Sequence, residues 1–172
     1  MQTYIVLLRG INVGGNNKVV MKELQKQLKN AGYEGVKTYI QSGNIILESD
    51  NLEERDISAI FGEYYEFIPD VLVFTRGEFL LCSQQNPFCD YPGNTVHFYF
   101  CKSKVELNQD KINAVKASDE RIVVKDKMLY LHAPSGLAKS KFIKVVDACV
   151  GTTATGRNLN IVNKLLELSN NG

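Results

Sequence analysis

The residues from which metal and redox sites are built are scarce in this sequence. Only two histidines occur, His97 and His132, in separate strand-like runs, and that inventory argues against a zinc site. The four cysteines, Cys82, Cys89, Cys101 and Cys149, lack metal-like or redox-pair spacing. No apolar run is long enough for a membrane span and no signal peptide is evident, so free thiols in a cytoplasmic protein are expected. Charge of one sign is missing too: 20 Lys and Arg stand against 19 Asp and Glu, a net charge of +1. Any affinity for nucleic acid would therefore need a local basic patch. Nothing resembles G-x-S-x-G or a cysteine elbow, and the carboxylates are scattered along expected helix faces. Neither a metal nor a cofactor is expected.

What remains is an ordinary globular composition, 44% apolar and 23% charged over 172 residues. That is enough for one good core or two small ones. The most distinctive stretch is Arg9-Gly10-Ile11-Asn12-Val13-Gly14-Gly15-Asn16-Asn17-Lys18. It follows the strand-like run Tyr4–Leu8 and leads into a segment with helical periodicity, Val20, Met21, Leu24, Leu28 and Ala31, closed by Gly32. A strand emptying into such a loop and then a helix offers backbone N–H groups at the positive end of a dipole, the layout of an anion site.

Val36–Ile40 reads as the next strand, Gln41-Ser42-Gly43-Asn44 as a turn, and Ile45–Glu48 as its hairpin partner. Asn51 and Glu54 suggest a capping box for a helix carrying Ile57, Ile60, Phe61 and Tyr64, and Val71–Phe74 is another strand. The order β-α-β-β-α-β is the split βαβ, or ferredoxin-like, unit. A short helix over 78–84 and the turn-rich stretch 86–94 follow, and then the pattern restarts. Val96–Phe100 is a strand, Ser103 and Glu106 suggest a capping box for a helix reaching Val115, and 121–124 and 128–132 form a hairpin. Ser135–Lys141 opens a helix that Gly151 ends, and Thr155-Gly156-Arg157-Asn158 begins the last one. The expected fold is therefore α+β, with two ferredoxin-like subdomains built on antiparallel sheets. The second is incomplete, lacking its last strand, and a C-terminal helix completes it. The expected division is 1–85, a linker at 86–94, and 95–172.

In a split βαβ unit the first two strands run parallel with the third between them. The end of strand one and the turn between strands two and three then lie at one edge of the sheet. Arg9, Asn12, Gly14, Gly15 and Lys18 should therefore neighbour Gln41, Ser42 and Asn44, and together they form the expected ligand site. The same residues admit a structural role: glycines for positive φ, asparagines bonded to their own backbone. Lys18 lacks a following Ser or Thr, so the loop is no Walker A sequence, nor is it the Rossmann fingerprint. Lys139, Lys141, Arg157 and Asn158, at two expected helix starts, form a secondary anion site. Ordinary capping by Ser135 and Thr155 is the competing reading there.

Leu7 to Gly15, followed by Lys18-Val19 and Met21, resembles the opening of a bacterial domain-of-unknown-function family, the one numbered 1697. Thr38 to Asn44 is similar to its second signature, and Gly151-Thr152, Arg157-Asn158 and Val162-x-Lys164-Leu165 to its third. The chain departs at Leu159, where the family usually has Trp. The resemblance implies that the polar loops are the family's signature and brings no established activity. The expected function is a cytoplasmic binding protein for a phosphorylated or otherwise anionic small ligand. The alternatives are an enzyme acting on a phosphate- or carboxylate-bearing molecule, a nucleic-acid binder, and an assembly module pairing through an edge strand.

Overall fold

Alternate residues of β1 (Gln2–Arg9) face opposite ways, and Tyr4, Val6 and Leu8 all enter one core. The computed structural model describes residues 1–170. That core is completed by Met21, Leu24 and Leu28 of α1 (Met21–Asn30) and by Ile57, Ile60 and Phe61 of α2 (Glu54–Tyr64). Between the helices run β2 (Glu34–Tyr39) and β3 (Asn44–Ser49), and β4 (Asp70–Thr75) follows. The four strands form one antiparallel sheet in the order β2-β3-β1-β4. This is the ferredoxin-like arrangement the sequence pattern leads to. Helix α2 begins two residues later than the Asn51 cap implied, because Glu53 and Asp56 form the capping box.

Contacts divide the chain into two units, the first holding 1–81 with 164–172 and the second 82–163. The division therefore falls ahead of the turn-rich 86–94, and that stretch belongs to the second unit rather than forming a separate linker. Phe88 is buried there, and the Tyr91 ring stacks on His132 with centroids 3.9 Å apart. Helix α3 (Arg76–Gln84) spans the division.

The second unit contains β5 (Val96–Cys101), α4 (Gln109–Val115), β6 (Arg121–Lys125), β7 (Met128–His132), α5 (Val146–Val150) and β8 (Ala154–Asn158). Its sheet order, β6-β7-β5-β8, repeats that of the first. The α+β architecture with two antiparallel sheets holds, but the second copy is complete. Residues 154–158, expected to start a helix, are instead the fourth strand, paired with β5 from His97↔Asn158 to Cys101↔Ala154. Helix α6 (Leu159–Leu168) starts directly after it, capped by Asn158 Oδ1, which accepts from Ile161 N at 2.9 Å. Two other expected helix starts move as well. Asn108, not Ser103, caps α4, and 135–145 forms two single 3₁₀ turns before α5 rather than one continuous helix.

Candidate functional site

The end of β1 and the β2–β3 turn meet at one edge of the first sheet. Leu8 N donates to Gly43 O at 2.8 Å, and Asn12 Nδ2 donates to Gln41 O at 2.9 Å. The second sheet closes its corresponding edge similarly, with Cys101 N donating to Lys127 O at 2.9 Å. Backbone closure at this edge is thus a property of the topology. The glycine- and asparagine-rich loop is what the first sheet adds.

Asn12 organises that loop. Its Oδ1 accepts from Val19 N at 2.8 Å, while Nδ2 donates to Val19 O at 3.0 Å as well as to Gln41 O. Asn17 Nδ2 donates to Gly10 O, Asn12 N to Asn17 O, and Asn16 N to Val13 O. Asn12 and Asn17 both sit at positive φ, 54° and 51°, where asparagine is better tolerated than other side chains. The structural reading of these asparagines therefore holds. Their amides brace the loop and set its shape for whatever the remaining groups do.

An open pocket of about 610 Å³ lies against this brace, lined by Asn12, Gly15, Lys18, Val19, Val20, Met21, Lys22 and Gln41. Four of the eight expected ligand residues line it: Asn12, Gly15, Lys18 and Gln41. The other four do not. Arg9 reaches Asp70 on β4, Nη1 to Oδ2 at 3.5 Å. Asn44 is fully buried, and its Nδ2 donates to Tyr39 O and to Ser42 Oγ, each at 3.0 Å, which pins the turn. Gly14 stands beside Gly15, and both have positive φ with open space where a Cβ would be.

Lys22 escaped the sequence reading. A cation in the first turn of a helix opposes the helix dipole, and that misfit is the signal by which it could have been found. Val20, the residue before α1, makes no side-chain cap hydrogen bond, and the first turn carries both the cation Lys22 and the carboxylate Glu23. Two lysines and an uncapped helix start thus face one pocket. Its lining includes no carboxylate, histidine, cysteine or tyrosine, hence no group for general acid–base or nucleophilic work apart from the lysines.

Arg157 and Asn158 of the secondary group alternate along β8 and so face opposite sides of the second sheet. Arg157 lies on β8 opposite Phe98, is 7% exposed, and donates to Gly156 O; burial lowers its pKa to about 10. Asn158, next along the strand, faces the other side of the sheet and spends its oxygen on the α6 cap. Lys139 and Lys141 are exposed on the 3₁₀ turns. Among the described residues no cluster of His, Cys, Asp and Glu is arranged to hold a metal ion, and no helix is long and apolar enough to cross a membrane.

Comparison with known proteins agrees with this geometry on fold and is silent on ligand. No curated protein matches the chain. A solved structure, that of the conserved bacterial protein SP0830 from Streptococcus pneumoniae, is similar with a TM-score of 0.72 and 26% identity, covering 98% of each chain. The family model described as a protein of unknown function, DUF1697, matches residues 1–130, which takes in both loops of the candidate site. The chain belongs to that family.

Proposed function

We propose that the protein binds a small anionic ligand, a phosphate or carboxylate compound, in the pocket formed by the 9–18 loop, the 41–44 turn and the start of α1. The observation that carries this reading is the placement of Lys18 and Lys22 at the uncapped N-terminus of a ten-residue helix. Helix dipole and the two lysine charges add there against the single first-turn carboxylate Glu23, which pairs with Lys26, so an anion would relieve the surplus positive charge. The braced loop lowers the ordering cost of binding. Binding rather than catalysis is favoured because the lining lacks a carboxylate, histidine or cysteine. A reducing, cytoplasmic setting suits the four free cysteines.

The test is a thermal-shift screen of inorganic phosphate, sugar phosphates, nucleotides and carboxylates, run beside RNA and DNA binding at two salt concentrations. A true ligand stabilises by about 2.7 kcal/mol at a hundredfold excess over its dissociation constant. Lys18→Ala and Lys22→Ala should each abolish most of that shift without lowering the melting temperature of the unliganded protein, and Lys22→Ala should raise it slightly by removing a cation that opposes the helix dipole. Nucleic-acid binding with a steep salt dependence and no stabilisation by any small anion would replace this reading with a nucleic-acid one. Silence in both arms would leave the assembly module standing.

A further inference from the structure

The first sheet ends in two surfaces of opposite charge. Beyond the end of β1, Lys18 and Lys22 flank Val20 in the lining of the pocket described above, and Val20 is 63% exposed. Both lysines are exposed, and among the described residues neither belongs to an ion pair. Near the start of β1, where Tyr4 pairs with Thr75, lies a second open pocket of about 530 Å³. Buried Tyr4 and Leu52 and half-buried Val73 give it an apolar floor, and the exposed Glu53, Glu54 and Glu78 line it as well. Glu53 is matched by Arg55 at 3.0 Å, and Glu78 Oε2 accepts from Thr75 N at 2.8 Å. Glu54 and Glu78 belong to no ion pair among the described residues. Carboxylates at helix starts are ordinary, and so is a single exposed valine. What neither end accounts for alone is the match between them. One offers an aliphatic side chain between two cations, and the other an apolar floor beside two carboxylates.

We infer that the chain associates with further copies of itself head to tail, the Lys18, Val20 and Lys22 surface of one copy seating in the Glu54 and Glu78 pocket of the next. Val20 then covers Leu52 and Val73, and the lysines meet the two carboxylates. Like surfaces do not pair, because a two-fold contact through either one would set charges of the same sign against each other. The contact is therefore heterologous and grows into rings or chains. Both surfaces belong to the unit that holds residues 1–81, so each copy carries the pair within one subdomain. Lys18 and Lys22 serve here whether or not a small anion also binds them, since the acidic surface lies at the far end of the sheet.

One aliphatic side chain and two exposed ion pairs make a small, transient interface, so the test is sedimentation velocity of the full chain between about 10 μM and about 1 mM. The average mass should climb with concentration past that of a dimer, and return to the monomer as salt rises from about 50 to about 500 mM. Lys18→Gln with Lys22→Gln neutralises one surface. Glu54→Gln with Glu78→Gln neutralises the other and leaves an amide oxygen to accept from Thr75 N. Either pair of substitutions should raise the concentration needed for a given mass roughly fivefold or more. An equimolar mixture of the two variants should associate again yet stop at the dimer, because each brings only one intact surface. The glutamate variant keeps both lysines, so its stabilisation by inorganic phosphate reports on the anion site alone, whatever becomes of the association. An unmodified chain that stays monomeric throughout, or whose mass levels at the dimer, would overturn the head-to-tail contact. So would association that neither pair of substitutions weakens, or a mixture that behaves as the mean of its components.

Discussion

Asn12 and Gln41 are joined by a 2.9 Å hydrogen bond from the Asn12 amide to the Gln41 carbonyl, across 29 positions of sequence. Since the same amide also grips Val19 on both its N–H and C=O, a single side chain ties the glycine-rich loop, the approach to α1 and the β2–β3 turn together. Asn12→Ala removes all three bonds and should cost about 2 to 3 kcal/mol in urea unfolding. Asn12→Asp, nearly the same shape, should also destabilise, because its second oxygen would face two carbonyl oxygens. A loss below about 0.5 kcal/mol in both variants would mean that the loop holds its shape without this brace.

The two glycines singled out on this edge should behave differently. A Cβ on Gly43 would stand 2.7 Å from Leu8 Cβ and 3.0 Å from Ile11 Cδ1, at φ of +96°. Gly43→Ala therefore combines backbone strain with overpacking and should cost about 2 kcal/mol or more. At Gly15, φ is +76° but nothing lies within 4 Å, so Gly15→Ala should cost only about 1 kcal/mol from the backbone alone. Equal losses at the two positions would deny the close packing of the turn on Leu8.

Much of this edge was legible in the sequence because its signals are local. Apolar runs separated by turn residues give β1, β2 and β3, and the order of elements then places both loops together without any knowledge of contacts. Strand β8 was illegible for a physical reason. Ala-Thr-Gly-Arg-Asn has no apolar alternation, and its central Gly156 relies on a partner 57 positions earlier: a Cβ there would come within 2.8 Å of the Tyr99 ring on β5. Ser103 and Glu106 misled for a similar reason. The stretch they occupy is held by nonlocal backbone bonds, Val105 N to Asp126 O and Glu106 N to Val150 O, which override the local capping pattern. At the site, the residue types were readable but not their division of labour. Asparagine braces and lysine faces the pocket, a distinction that depends on which carbonyls lie within reach.

Arg9 separates the loop's structural chemistry from its binding chemistry. Its partner Asp70 is 3.5 Å away, and both side chains are partly exposed, at 38% and 44%. Exposed pairs of this kind contribute about 1 kcal/mol or less and weaken with salt. Arg9→Ala should lower stability by less than about 1 kcal/mol, less still at high salt, and leave phosphate affinity unchanged because Arg9 does not line the pocket. A large loss of phosphate affinity would bring Arg9 back into the site.

His97 and His132 both have pKa values held below the ordinary 6.5, and His97 is the one whose ring nitrogen is buried without a partner. It is 6% exposed on β5, and its Nε2 is buried with no hydrogen-bond partner. Burial first, and the neighbouring His132 second, hold its pKa below the ordinary 6.5. The folded state therefore keeps His97 neutral, whereas the unfolded chain takes up a proton near its ordinary pKa. With more protons bound in the unfolded state, stability rises with pH, so the contribution is present above about pH 6.5 and is lost as the pH falls below it. The limiting slope for one such group is about 1.4 kcal/mol per pH unit. Urea midpoints measured between about pH 7 and pH 5 should fall accordingly, and His97→Phe, which keeps a buried ring and removes the proton site, should flatten that fall. An unchanged slope in the variant would assign the acid sensitivity to other groups.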